Sequence, residues 1–170
     1  VVELFTRTGV EHHQIYPEMV ALLKDLWACR RVVCDATGMG EVVASFLRGP
    51  LGSRVHGLKF TPQSKSELGF NLLAAVNSGR LKMCSGDGSA EYRQLMTELQ
   101  RARVHHRANQ AMAFSVVPAE GHDGLLMALA LAAPAGSWLA RYEALAAALR
   151  GAVKITAIKA LQLDFQGDGC

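Results

Sequence analysis

Apolar positions along the chain fall into short continuous runs separated by longer stretches with helical spacing. Val1–Thr6 is an apolar-rich run closing on Thr-Arg-Thr-Gly, a strand followed by a turn. Pro17–Trp27 sets Met19, Val20, Leu22, Leu23, Leu26 and Trp27 at helical intervals, with the proline suited to a first turn. Arg31–Ala36 is short and β-branched, the pattern of a buried strand, and it runs into Asp35-Ala36-Thr37-Gly38-Met39-Gly40. A helix is expected from Glu41 to Arg48, stopped by Gly49-Pro50. Arg54–Phe60 is predicted as a strand. Ser64–Ser78 is predicted as a helix, with Ser64 as cap, Glu67 completing a capping box and Gly79 closing it. Arg80–Cys84 reads as a short strand, and Ser89–Arg103 as an amphipathic helix with Tyr92, Leu95, Met96 and Leu99 on one face. Met112–Val117 reads as a strand and His122–Ala133 as an apolar helix stopped by Pro134.

Strands alternating with helices imply an α/β sandwich with a largely parallel sheet and helices on both faces. No long linker or internal repeat divides residues 1–133, which read as one domain. Residues 134–170 read as a C-terminal tail, helical in part: Trp138–Leu149 is alanine-rich, while Val153–Phe165 mixes apolar and basic residues without a period. Half of the residues are hydrophobic and 19% are charged, a globular rather than a disordered composition. The formal net charge of +3 is too small to mark a nucleic-acid binder, so any such contact must come from local patches. Cys29, Cys34, Cys84 and Cys170 form no C-x-x-C pair and no disulfide framework, which points away from structural zinc and toward a reducing compartment. No stretch is long and apolar enough to span a membrane, and no secretory signal is present. The chain begins at Val1 without an initiator methionine, as a piece of a longer protein would.

Two acids sit where chemistry would need them. Asp35 ends a predicted buried strand just before a glycine-containing turn into a helix, the edge on which α/β sheets build their sites. It equally suits a capped turn. Asp123 opens the last apolar helix, where the macrodipole alone favours an acid. Together the two carboxylates would repel unless a divalent cation bridged them. Hard oxygen ligands select Mg²⁺ or Mn²⁺ over zinc, and two such ions, about 4 Å apart, serve phosphodiester hydrolysis.

The runs VVCDATGMGEVVASFL, RVHGLKFTPQSKSEL, SGRLKM and GHDGLLMALALA, in that order, resemble the nuclease domain of large terminase subunits, which package and cut viral DNA. The resemblance covers Val1 to Ala133. It implies an RNase H-like mixed sheet and a two-metal endonuclease acting on double-stranded DNA in the host cell cytoplasm. A packaging ATPase domain, a small terminase subunit and a portal are the implied partners. Asp35 matches the acid at the end of the family's central strand, and His122-Asp123 matches the His-Asp pair of the late helix, His122 serving to orient a ligand or a water. Lys65 stands where the family commonly carries a lysine and would contact phosphate; it also suits a solvated helix face. Arg101, Arg103 and Arg107, with His105 and His106, form the densest basic cluster, either a track for a DNA backbone or a solvated helix end. Two departures stand out. No acid matches the family's first metal-binding residue, whose opening strand would lie upstream of Val1. Gly124 replaces a second acid often found after the His-Asp pair. These departures motivate an alternative, a catalytically incomplete remnant or truncated fragment of such a domain. A further alternative is a nucleotide-binding α/β module using Thr37-Gly38-Met39-Gly40 as a phosphate turn.

Overall fold

The computed structural model describes residues 3–83, 86–108, 110–133 and 159–164, the last of these and His12 by their backbone alone. Among them are strands β1 (Glu3–Thr8), β2 (Val32–Asp35), β3 (Val55–Leu58), β4 (Arg103–His106), β5 (Met112–Ser115) and β6 (Lys159–Asp164). Helices α1 (His12–Val20), α2 (Met39–Leu51), α3 (Pro62–Asn77), α4 (Ala90–Arg101) and α5 (124–133) are interspersed with them, giving a mixed α/β architecture. The Trp138–Leu149 helix expected from sequence lies outside the described residues.

The expected single sheet is resolved into three two-stranded ones. β1 pairs with β6 and β2 with β3, both parallel, and β4 pairs with β5 antiparallel. β1 and the β2–β3 pair nevertheless separate two apolar layers, because strand side chains alternate between faces. On one side Phe5, Val32, Cys34 and Val55 pack with Ile15 and Met19 of α1 and Val43 and Leu47 of α2. On the other, Leu4, Val33 and Leu58 pack with Leu68 and Leu72 of α3, Leu95 of α4 and the apolar stripe of α5. Polar contacts keep the same parity: Arg7 reaches Glu18 on α1 at 2.5 Å, while Thr6 donates to Glu91 on α4 at 3.3 Å. β5 joins the second layer. Its Met112 amide donates to the buried Ser66 hydroxyl of α3, and a Cβ on Gly69 would stand 2.7 Å from the buried Phe114 ring. Only glycine lets α3 and β5 come this close.

Several boundaries differ from the sequence expectation. α1 begins five residues before Pro17 and carries the proline in its interior, at the loss of one backbone bond. It then widens into a π-helical turn, Ala21–Leu26, in which Trp27 N bonds Leu22 O at 2.7 Å. α2 runs through Gly49-Pro50 to the buried Leu51. The missing Cβ on Gly49 eases the clash a residue preceding proline normally meets, and Gly52, at φ +61°, ends the helix. α3 is capped by Thr61 rather than Ser64. Pro62 fixes the first helical residue, and Ser64 is the reciprocal partner in the box: Ser64 N donates to Thr61 Oγ1 and Thr61 N to Ser64 Oγ. Residues 80–83 are not a strand, because the Leu81 amide is spent on Ala75 O at the end of α3. The basic segment after Arg101 is strand β4, not a helix end. It is held by pairing with β5 across a turn in which Gln110 takes φ +63°.

Candidate functional site

The turn from β2 into α2 is built on two glycines. Gly38 takes φ +56°, ψ −123°, a conformation closed to residues with a side chain, and a Cβ on Gly40 would lie 2.2 Å from the Asp35 carbonyl oxygen. The first turn of α2 therefore sits directly on the end of β2. Asp35 is half-buried there. Its Oδ1 accepts the Thr37 amide at 2.8 Å, so the turn-capping reading of this residue holds for one oxygen; Oδ2 has no partner among the described residues. Thr37 in turn accepts the Phe60 amide at 2.8 Å, and the Ala36 amide donates to Leu58 O at 2.8 Å. Ser64 donates to Lys59 O, and Lys59 pairs with Glu41 at 3.3 Å. The starts of α2 and α3 are thus locked together at the C-terminal ends of β2 and β3. Lys65 belongs to this edge: its Nζ lies 5.0 Å from the centre of the Phe60 ring, and Phe60 is tied to the Asp35 turn through Thr37.

Asp123 occupies the N-cap position of α5, its carbonyl accepting the Met127 amide at 2.8 Å. Its side chain does not do a cap's work. The Leu126 amide, which an N-cap side chain ordinarily takes, donates instead to Glu98 Oε2 at 2.8 Å. Among the described residues the Asp123 carboxylate has no hydrogen-bond or ion-pair partner, and it is half-buried. His122 beside it is exposed. α5 shares a face of the sheet with Asp35. Val33, two residues before Asp35 and therefore on the same side of β2, packs against the apolar layer that contains the α5 stripe. Leu131 lines a cavity of about 320 Å³ together with Arg31 and Val33, so the far half of α5 lies beside the start of β2.

The basic cluster divides by use. Arg101 donates to the Glu120 carbonyl, and Arg103 pairs with the Glu120 carboxylate at 3.8 Å. Both hold the 118–120 turn that leads into His122-Asp123. Arg107, in the β4–β5 turn, is exposed, and its side chain has no partner among the described residues. Cys34, next to Asp35 but on the opposite face, has its thiol pKa raised by burial; Arg48 opposes this and Asp35 adds to it. The carboxyl of Asp87 is held below its usual range by the Ser89 amide, which it accepts ahead of α4.

Glu98 is the residue the sequence reading missed. Its signal was present: it falls three residues after Leu95, on the apolar side of an otherwise polar helix, and it is 4% exposed. Among the described residues no group of three or more His, Cys, Asp or Glu stands close enough to hold a metal ion. Comparison with protein-family models, with curated proteins and with solved structures finds no match.

Proposed function

We propose that this chain is the metal-dependent nuclease domain of an RNase H-like DNA-cutting protein of the large-terminase kind, with Asp35 and Asp123 as its metal ligands. The carrying observation is the pair of carboxylates with uncommitted oxygens. Asp123 is relieved of capping by Glu98, and Asp35 keeps Oδ2 outside its turn, on elements that share one face of β2. Two carboxylates are the donor set that suits Mg²⁺ or Mn²⁺. Bound there, such an ion would supply Lewis acidity and a water of lowered pKa. The chain's own groups would do the rest. Lys65 would steady a phosphate at the strand ends, Arg107 would track the backbone, and Arg101 and Arg103 would hold the turn that carries His122 and Asp123. By the resemblance, double-stranded DNA is the substrate, and a packaging ATPase domain, a small terminase subunit and a portal are the partners, in the host cell cytoplasm.

Gly124 after Asp123, and the absence of a third acid at the site among the described residues, favour an incomplete centre as the second reading. The nucleotide-binding alternative is weaker. The Thr37, Gly40 and Glu41 amides donate within their own turn, to Asp35 Oδ1, Thr37 O and Gly38 O, rather than outward as a phosphate cradle requires.

The test is cleavage of supercoiled plasmid by the full chain in Mn²⁺, Mg²⁺ or chelator. The expected result is slow nicking that needs metal at roughly millimolar levels, because two acids hold a hard cation loosely, with Mn²⁺ ahead of Mg²⁺. It should vanish in Asp35→Ala and in Asp123→Ala. Robust Mg²⁺-dependent cleavage that survives Asp35→Ala would remove both site and mechanism.

A further inference from the structure

Glu98 is a buried carboxylate whose position the strand-end chemistry does not explain. Its Oε2 accepts the Leu126 amide and its Oε1 the Gln94 side-chain amide, both at 2.8 Å, and it forms no ion pair among the described residues. Burying an acid opposite amides alone is costly, although the positive end of the α5 dipole offsets part of that cost. A cheaper solution stands one turn away. Asp123 is already the N-cap residue, and its short side chain could take the same amide while staying near solvent. The fold uses the buried acid instead.

We propose that Glu98 is a positioning residue that caps α5 from the neighbouring helix, so that the Asp123 carboxylate is released from the role its position would impose and stays free for a ligand. That ligand is a divalent cation on the nuclease reading, on which this last step rests. Glu98 fixes where α5 begins; Asp123, set at that start, is half-buried with both oxygens unpartnered among the described residues. Partners behind a metal ligand commonly change metal affinity tenfold or more when removed.

A double-mutant cycle on thermal stability of the full chain reads the capping relation without any metal. Asp123→Ala alone should shift the melting temperature by less than about 2 °C, as for a surface side chain outside a cap. In a Glu98→Ala background Asp123 should swing onto the Leu126 amide, so that the same Asp123→Ala change lowers melting by a further 2–4 °C or so, the loss of a working cap. Glu98→Gln keeps an acceptor and should leave the Asp123→Ala effect small. If Glu98→Ala does not fold, the Leu126 amide resonance serves in its place: it should move in Glu98→Gln and stay in Asp123→Asn. Titration with Mn²⁺ should then give roughly tenfold weaker binding in Glu98→Ala than in the parent, and little change in Glu98→Gln. Additive stability effects, or a Leu126 amide that follows Asp123 rather than Glu98, would overturn the assignment. A parent chain that binds no Mn²⁺ removes the cation and the nuclease reading while the cycle still decides the cap, so the two failures are distinct.

Discussion

Gly40→Ala should destabilise the chain, although alanine is the better helix former. In an open helix the exchange would stabilise by up to about 1 kcal/mol. Here the new Cβ would stand 2.2 Å from the Asp35 carbonyl oxygen and 3.0 Å from its carbon, with the Asp35 carboxyl carbon at 3.9 Å. The obstructing atoms are backbone, so no rotamer change relieves them. The start of α2 would have to lift from the end of β2 by about 1 Å, an overpacking that costs typically 1–3 kcal/mol. The net expectation is a loss of about 1–2 kcal/mol, seen as a fall in melting temperature of about 2–8 °C for a domain of this size. Urea unfolding followed by circular dichroism checks it, with Ser45→Ala on the exposed face of the same helix as the control. That control should be neutral or slightly stabilising. Because the lifted turn carries the Thr37 amide away from Asp35, metal-dependent nicking should fall by more than the stability loss alone would give. A Gly40→Ala chain as stable as the parent would refute the contact between α2 and the strand that carries Asp35.

Two further predictions concern charge. On the proposed nuclease function, Arg107→Ala should weaken binding to duplex DNA and lower its salt dependence by about one counterion while leaving melting unchanged. Arg103→Ala should instead loosen the turn held through Glu120, a small loss because the pair is exposed; equal DNA-binding losses without any change in the 118–120 turn would contradict the division. Cys34, with its pKa raised, should be alkylated more slowly in the folded chain than in urea at neutral pH. The sign of the linked effect follows: its contribution to stability is fully present below the ordinary thiol value of 9.0 and is lost as pH rises toward the folded value. Stability of the parent should therefore fall more steeply in alkali than that of Cys34→Ala, and parallel curves would count against the buried thiol.

Much of the layered arrangement was legible because it is periodic. The β-branched run that opens β2 and the apolar stripe from Leu125 to Leu131 each point one way only, and the structure buries Val32 and that stripe, with Val33 half-buried beside them. What escaped was long-range or local in a different sense. β4 has every residue exposed and exists because Met112–Ser115 pairs with it, so no window around Arg103-Val104-His105-His106 could announce it. Arg101 and Arg103 looked like a surface track, and their use in holding Glu120 depends on a turn nineteen residues from Arg101. From sequence, Ser64 reads as the cap of a box with Glu67, whereas it is the reciprocal partner of Thr61, and Pro62 at the first helical position marks the earlier start.

The two acids show where a reading from sequence neighbours stops. For Asp35 the plain structural alternative is a capped turn and for Asp123 the dipole of the helix it opens, since Asp at a turn or a helix start is explained by the backbone next to it, and either position invites a side-chain cap. Asp35 bears this out for one oxygen, because the amide it holds is two residues away and belongs to its own turn. Asp123 does not, because the amide it would hold has been taken by a residue twenty-eight positions earlier. A capping motif names the donor that must be satisfied, and the fold decides which acceptor satisfies it. Where an interior carboxylate takes that donor, the acid at the cap position keeps only its favourable interaction with the helix dipole, and its oxygens stay open to a ligand.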